Sequence, residues 1–245
     1  MRNLKQEIDA LQKEVKAHRS LSPEERENLK KYYLIRFTYT SNALEGSTLG
    51  LEETRMLLEN ELTPGGKPFQ DTLLAVGHKK AFALLASLAA KKTIEASDAC
   101  RLHQILFEQL DPEHAGEYRT QKAFVSGSVY PTAVPEKIPA LMLNLFKHLR
   151  EERYKLHPVV FAAKLHKKFS YIHPFAYGNG QIARLLLNLA LLQASYPMVI
   201  IKPASRTAYH AALEKAHKTP YVFAEFIAEQ VVAAQQDYLR LVMQP

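Results

Sequence analysis

Apolar residues recur at helical spacing along most of the chain. Leu4, Ile8, Leu11 and Val15 step by three and four, a narrow apolar stripe on a charged segment that predicts an N-terminal helix over 3–18. Ser22-Pro23-Glu24-Glu25 reads as a capping box with proline at the first helical position, and it starts a second helix that runs to about 44, where Gly46 stops it. The same reading places helices at about 51–62, 70–91, 97–110, 139–153, 158–172, 179–195, 205–217 and 221–242. The predicted fold class is all-α. The exception is 111–138, where Gly116, Gly127, Pro131 and Pro135 surround two short β-prone pieces, 122–126 and 129–132. These predict a small β-hairpin, and a connection this long inside a compact domain is a candidate binding flap.

The stretch 182–201 is nearly apolar all round and about long enough to span a bilayer. Arg184, Asn188, Gln193 and Pro197 interrupt it, so it predicts the enclosed central helix of an α-domain rather than a membrane span.

Composition narrows the class. At roughly 150 residues per domain, 245 residues predict one packed unit: an N-terminal helical segment over 1–50 and a core over 51–245. Hydrophobic residues at 47% and charged residues at 23% exclude collagen-like and disordered chains. The single cysteine, Cys100, excludes an intramolecular disulfide and fits a reducing compartment. With no apolar leader in 1–17, a cytoplasmic location is the expectation. The formal charge of +7 favours an anionic partner without choosing its kind. Its basic pairs, such as Lys30-Lys31 and Lys167-Lys168, are scattered as a solvated surface would be, so neither nucleic acid nor membrane is expected as a partner. The N-terminal stripe is too short for an isolated coiled coil, which leaves packing on the core and a homodimer contact both open.

The richest chemistry lies in His173-Pro174-Phe175-Ala176-Tyr177-Gly178-Asn179-Gly180-Gln181-Ile182-Ala183-Arg184, between two strongly apolar helices. Gly178-Asn179-Gly180 opens the enclosed helix, whose unpaired N–H groups and dipole make a ready phosphate site. A bare G-x-G is more often a tight turn, but two neighbours change the weighting. His173 ends the preceding helix, where its imidazole is a candidate general base over the anion site. Arg184 is the only charged side chain from 182 through 201, and an enclosed guanidinium requires a carboxylate or a phosphate. Together they point to phosphate-ester chemistry. Phe175 reads as an anchor of the loop in the core, and His166 as a hydrogen-bonded core histidine. The histidines form no H-E-x-x-H or similar cluster, so no transition-metal site is expected.

The segment resembles the signature of the Fic (Fido) domain family, H-x-F-x-(D/E)-G-N-G-R-x-x-R. Ser41-Asn42-Ala43-Leu44-Glu45-Gly46 is similar to that family's inhibitory motif, (S/T)-x-x-x-E-(G/N), and Gly116-Glu117-Tyr118-Arg119, the 124–135 hairpin, 138–142, and Arg206 with Tyr209 and 212–214 are also familiar from it. The resemblance covers roughly residue 32 to the end. It implies a helical core with a flap and transfer of AMP from ATP to a Ser, Thr or Tyr hydroxyl of a target protein, which can be the chain itself. His173 would deprotonate the hydroxyl, Gly178, Asn179, Gly180 and Gln181 would line the phosphate site, and Arg184 would take the γ-phosphate. Ser41 and Glu45 would hold the inhibited state through Arg184. Phe124, Val125, Ser126 and Gly127 of the flap would clamp the target as an added strand.

Two positions depart from the pattern. Tyr177 replaces the acidic residue, and a neutral phenol is a poor Mg²⁺ ligand, so no metal-ligating residue is assigned and any Mg²⁺ would ride mainly on the nucleotide. Gln181 replaces the first arginine and carries no charge. Both changes weaken support for a pyrophosphate leaving group. Three readings follow: a transferase, a degenerate nucleotide-binding or interaction protein, and an AMP-removing hydrolase in which Glu45 positions water.

Overall fold

A computed structural model describes residues 2–18 and 20–243, so positions 1, 19 and 244–245 of the predicted segments lie outside the described residues. Ten α-helices are present among the described residues: α1 (Arg2–Ala17), α2 (Pro23–Leu44), α3 (Leu51–Asn60), α4 (Phe69–Ala89), α5 (Ala96–Phe107), α6 (Ile138–Glu152), α7 (Pro158–Ile172), α8 (Asn179–Gln193), α9 (Arg206–Lys215) and α10 (Val222–Met243). The fold is all-α, as the apolar spacing implies.

Helix α8 is the hub. Ile182, Ala183, Leu185, Leu186, Leu187, Leu189 and Leu191 are wholly buried, with α7, α4, α5 and α2 packed around them. Asn188 is tolerated in this apolar helix because its amide pairs with the returning chain: Val199 N–H donates to Asn188 Oδ1 at 2.7 Å and Asn188 Nδ2 donates to Val199 O at 3.0 Å. Hydrogen-bond partners offset the desolvation cost of a buried polar group.

Helix α2 starts and stops for local reasons. Ser22 Oγ accepts from Glu25 N–H at 3.1 Å while the Glu25 carboxylate accepts from Ser22 N–H at 2.6 Å. At the other end Ser47 N–H reaches Asn42 O and Gly46 N–H reaches Ala43 O, both at 3.1 Å, with Gly46 at φ +99°. This is the paired C-terminal cap that a left-handed glycine permits. Asp71 then fixes the chain by accepting from Thr48 N–H at 2.7 Å and Thr48 Oγ1 at 2.8 Å. Only the C-terminal half of α2 enters the core, and it brings Thr38, Thr40, Ser41 and Asn42 with it, all buried.

The N-terminal helix packs on the core. Ile8 is buried against α10, and Gln12 Nε2 donates to Ser195 O at 2.7 Å while Gln235 Nε2 donates to Ile8 O at 3.1 Å.

The predicted hairpin is corrected by the structure. Among the described residues of 111–138 there is no strand. Side chains join the two limbs instead of a backbone ladder: Thr132 Oγ1 donates to Ala123 O at 2.6 Å, and Arg119 donates to Gln121 O at 2.6 Å and Ala133 O at 2.5 Å. Pro131 and Pro135 have no N–H to give to a ladder. At the tip Ser128 N–H donates to Val125 O at 3.1 Å across a turn that needs Gly127 at φ +80°.

Candidate active site

The site forms where the C-terminus of α7, the N-terminus of α8 and the C-terminus of α2 converge. His173 is the C-cap of α7, at φ 52° and ψ 61°, with its N–H on Phe169 O at 3.0 Å. Burial foremost, then the Arg119 guanidinium, lowers its pKa to about 4, against a raising hydrogen bond to the Ser170 backbone and the Glu45 charge. The imidazole is therefore neutral at pH 7, the form a general base requires.

The loop after His173 is braced from inside. Phe175 is fully buried, and Asn179 grips its backbone both ways: Phe175 N–H donates to Asn179 Oδ1 at 3.0 Å and Asn179 Nδ2 donates to Phe175 O at 2.8 Å. The Asn179 side chain thus supports the loop, leaving its backbone N–H as the group available to an anion. His103 braces the same loop from α5, stacked on Phe175 with ring centroids 3.9 Å apart. Its Nδ1 accepts from Gly116 N–H at 2.8 Å, so Nε2 carries the proton toward Tyr177 O at 3.2 Å. Burial lowers its pKa to about 4.

Two glycines are required by what they touch. Gly178, at φ +71°, would drive a Cβ to 2.1 Å from the Phe107 ring. A Cβ on Gly180 would sit 2.1 Å from Glu45 Oε1 and 3.1 Å from Arg184 Nη1. The approach to Oε1 locates the Glu45 carboxylate: it rests on the first turn of α8, where the helix offers unpaired N–H groups and positive dipole charge.

Arg184, only 2% exposed, meets that carboxylate. Its Nη2 donates to Glu45 Oε1 at 2.8 Å and to Ser41 O at 2.8 Å, and its Nε donates to Ser41 Oγ at 3.0 Å. Burial works against the guanidinium's charge, but Glu45 and then the Tyr209 hydroxyl outweigh it, so Arg184 is held above the ordinary arginine range. Nη1 is buried with no hydrogen-bond partner. The Glu45 side chain is 37% exposed, so this anion can leave toward solvent while the arginine stays.

The two departures from the signature have structural roles. Gln181, buried, donates from Nε2 to Asn42 Oδ1 at 3.3 Å and so joins α8 to the C-terminal end of α2. Tyr177 packs edge-on against Phe107 with centroids 4.8 Å apart, and burial first, then the nearby Asp111 carboxylate, holds its phenol protonated. The chemistry of this donor set does not fit a protein-held Mg²⁺. No group of three or more His, Cys, Asp or Glu among the described residues can hold a metal ion.

The flap side is looser. Phe124 and Val129 are 86% and 85% exposed; Val125 is half-buried and Ser126 and Gly127 are exposed at the tip. Glu214 of α9 clasps the tip, accepting from Ser128 Oγ at 2.7 Å and Val129 N–H at 2.9 Å. His217 is sandwiched between Tyr130 of the flap and Tyr171 of α7, at 3.8 and 3.7 Å between centroids. Between flap and α9 lies a cavity of about 270 Å³ whose walls include Tyr130, Tyr171, Leu213 and, nearer the helix ends, Ser170 and His210. His103, Arg119, Glu214 and His217 carry much of this geometry without standing out in the sequence. Only Arg119 and Glu214 fall in stretches similar to the family.

Fold and site together define a Fic-type protein. The model of the Fic/DOC family matches residues 93–191, and that stretch is a Fic/DOC-family domain. Among characterised relatives, the protein adenylyltransferase Fic of Drosophila grimshawi is 36% identical over 204 residues, covering 82% of this chain and 42% of that protein. The chain thus spans about two fifths of the length of the curated relatives it matches. Among solved structures, a Fic domain containing signaling protein from Bacteroides thetaiotaomicron superposes with a TM-score of 0.90 at 26% identity, covering 96% of each chain. Residues 134–508 of Fic-1 from C. elegans give 0.88 at 29% identity, covering 98% of this chain and 72% of that one.

Proposed function

We propose that this chain transfers AMP from ATP to a hydroxyl of a target protein and rests in a self-inhibited state held by Glu45. One observation carries the reading: the Glu45 carboxylate occupies the N-terminus of α8 and pairs with Arg184, beside a neutral histidine. An anion bound at that position by the protein itself marks where a phosphate would bind. The names of its relatives, protein adenylyltransferases, supply the reaction class.

In this reading the γ-phosphate displaces Glu45 from Arg184, and the N–H groups of the first turn of α8 take the phosphates before it. The target hydroxyl, aligned by a segment laid along the flap, attacks the α-phosphorus as His173 accepts its proton. The bond to the bridging oxygen breaks, and pyrophosphate leaves. Mg²⁺, if carried, enters on the nucleotide, because this chain offers no carboxylate at position 177.

A second reading has an observation behind it. With the Gln181 amide committed to Asn42 and Tyr177 packed on Phe107, Arg184 is the one cation of the signature left for the leaving group, which favours nucleotide binding without turnover. Intact-mass spectrometry of Glu45→Gly protein after incubation with Mg-ATP separates the two. A gain of one AMP that disappears with His173→Ala supports transfer. No gain, with ATP binding retained in calorimetry, leaves the binding module.

A further inference from the structure

Arg119 joins the two halves of the site. It is 6% exposed, and among the described residues no carboxylate pairs with it. Every acceptor it uses is an uncharged oxygen. Nε donates to His173 O at 2.8 Å, Nη1 to Gln121 O at 2.6 Å, and Nη2 to Ala133 O at 2.5 Å and Thr132 Oγ1 at 3.2 Å. Its own N–H donates to Pro174 O at 2.9 Å.

A buried guanidinium without a counter-ion is costly unless its donors are matched. Here they are matched to three separate pieces of backbone: the end of α7 that bears His173, the entry limb of the flap and its exit limb. His173 sits in the left-handed region, which a non-glycine residue occupies only when its surroundings impose it. Arg119 takes the carbonyls of both His173 and the following Pro174. Only a planar fork reaches acceptors in these directions at once, which an ammonium group cannot do.

We propose that Arg119 is a positioning residue that fixes the His173 backbone and both limbs of the flap in one hydrogen-bonded unit, so that a target segment seated on the flap is registered against the base. The inference rests on the reading of His173 as that base. The same geometry brings a positive charge against the histidine, which adds to the larger effect of burial in disfavouring the imidazolium.

The test uses the full chain carrying Glu45→Gly, with Arg119→Lys, Arg119→Met and Thr132→Val added singly. Ring NMR of unliganded protein reads the His173 titration, and steady-state kinetics with calorimetry reads kcat separately from ATP affinity. Arg119→Lys keeps the charge and loses the fork: kcat falls about tenfold or more, ATP affinity holds, and His173 still titrates near about 4. Arg119→Met loses both, so kcat falls and the His173 titration also rises toward the ordinary histidine range. Thr132→Val removes one of the two acceptors on the exit limb together with the Thr132 bond to Ala123 O, leaves Ala133 O on Nη2, and lowers kcat severalfold without moving the titration.

Parental kcat in Arg119→Lys, or an unmoved titration in Arg119→Met, would overturn the proposal, as would variants that lose thermal stability alone. Should the Arg119 variants fail to fold, parental kcat in Thr132→Val is enough to overturn it. If the Glu45→Gly parent itself transfers nothing, the AMP-transfer reading fails. The titration then still decides whether Arg119 acts on His173, and an unmoved Arg119→Met value sinks the coupling independently.

Discussion

On one side of the anion site α2 meets α8 through buried, paired polar groups: Ser41 and Glu45 on Arg184, Asn42 on Gln181. On the other side the 111–138 segment has no ladder among its described residues and leaves Phe124 and Val129 almost bare. Both sides use side-chain hydrogen bonds, but the first closes on itself and the second is clasped at its root by Arg119, at its tip by Glu214 and along one edge by His217 stacked on Tyr130. A wall whose charges are already paired has to be displaced before a ligand binds, although Arg184 Nη1 and Asn42 Nδ2 keep no partner there, and a wall with free backbone and exposed apolar groups waits for a partner. On the proposed reading, control of the nucleotide and recognition of the target are separable, with His173 held between them.

The largest test of that separation is removal of the group between the walls. His173→Ala in the Glu45→Gly background should lower transfer about 10²- to 10⁴-fold, read by AMP incorporation, while nucleotide affinity and flap protection from protease remain.

Next comes the closed wall. Glu45→Gly leaves Arg184 buried without its counter-ion, so the nucleotide-free protein should lose about 1–3 kcal/mol in denaturant unfolding. ATP should restore stability more in this variant than in the parent, by linkage. Equal thermal shifts would break the contrast between the walls.

Acid should act on the buried histidines rather than on either wall. Burial lowers His78 and His166 to about 3 and His103 and His173 to about 4. Below the unfolded-state value of about 6.5 the unfolded chain binds protons that the folded chain refuses. Stability is therefore complete above that value and is lost as pH falls toward about 4, by up to about 1.4 kcal/mol per pH unit for each histidine. The same shift keeps His173 neutral, so kcat/KM should show no acid limb at the ordinary histidine value. Such a limb would mean that the base is less desolvated than this geometry implies.

The smallest effect belongs to the open wall. Glu214→Ala frees the flap tip from Ser128 and Val129 and should speed proteolytic nicking within 124–130 severalfold, leaving ATP affinity unchanged. An altered ATP affinity would show that the walls are coupled through α9.

Much of this was legible in the sequence, and the gaps have physical causes. Capping at Ser22, the three-and-four spacing and the glycine stop at Gly46 are local signals, and local structure follows them. The signature from His173 to Arg184 is a contiguous stretch whose chemistry reads directly. The predicted strands of the hairpin do not form because β-prone residues record propensity, whereas Pro131, Pro135 and the Arg119 and Thr132 side chains decide the pairing. Arg119's role is invisible locally, since its acceptors lie 54 and 14 residues away and are backbone carbonyls, which every residue has. His103 looks like any helical histidine until Phe175 is stacked on it. Asn179 reads as a phosphate ligand, but its side chain is committed to the Phe175 backbone.

The central claim is that Glu45 and the terminal phosphate of ATP compete for Arg184. Calorimetric titration of parent and Glu45→Gly proteins with ATP and with ADP tests it most directly. The account predicts that Glu45→Gly tightens ATP binding about tenfold or more, a difference of about 1.4 kcal/mol, and changes ADP binding far less. Equal ATP affinity in the two proteins would contradict it.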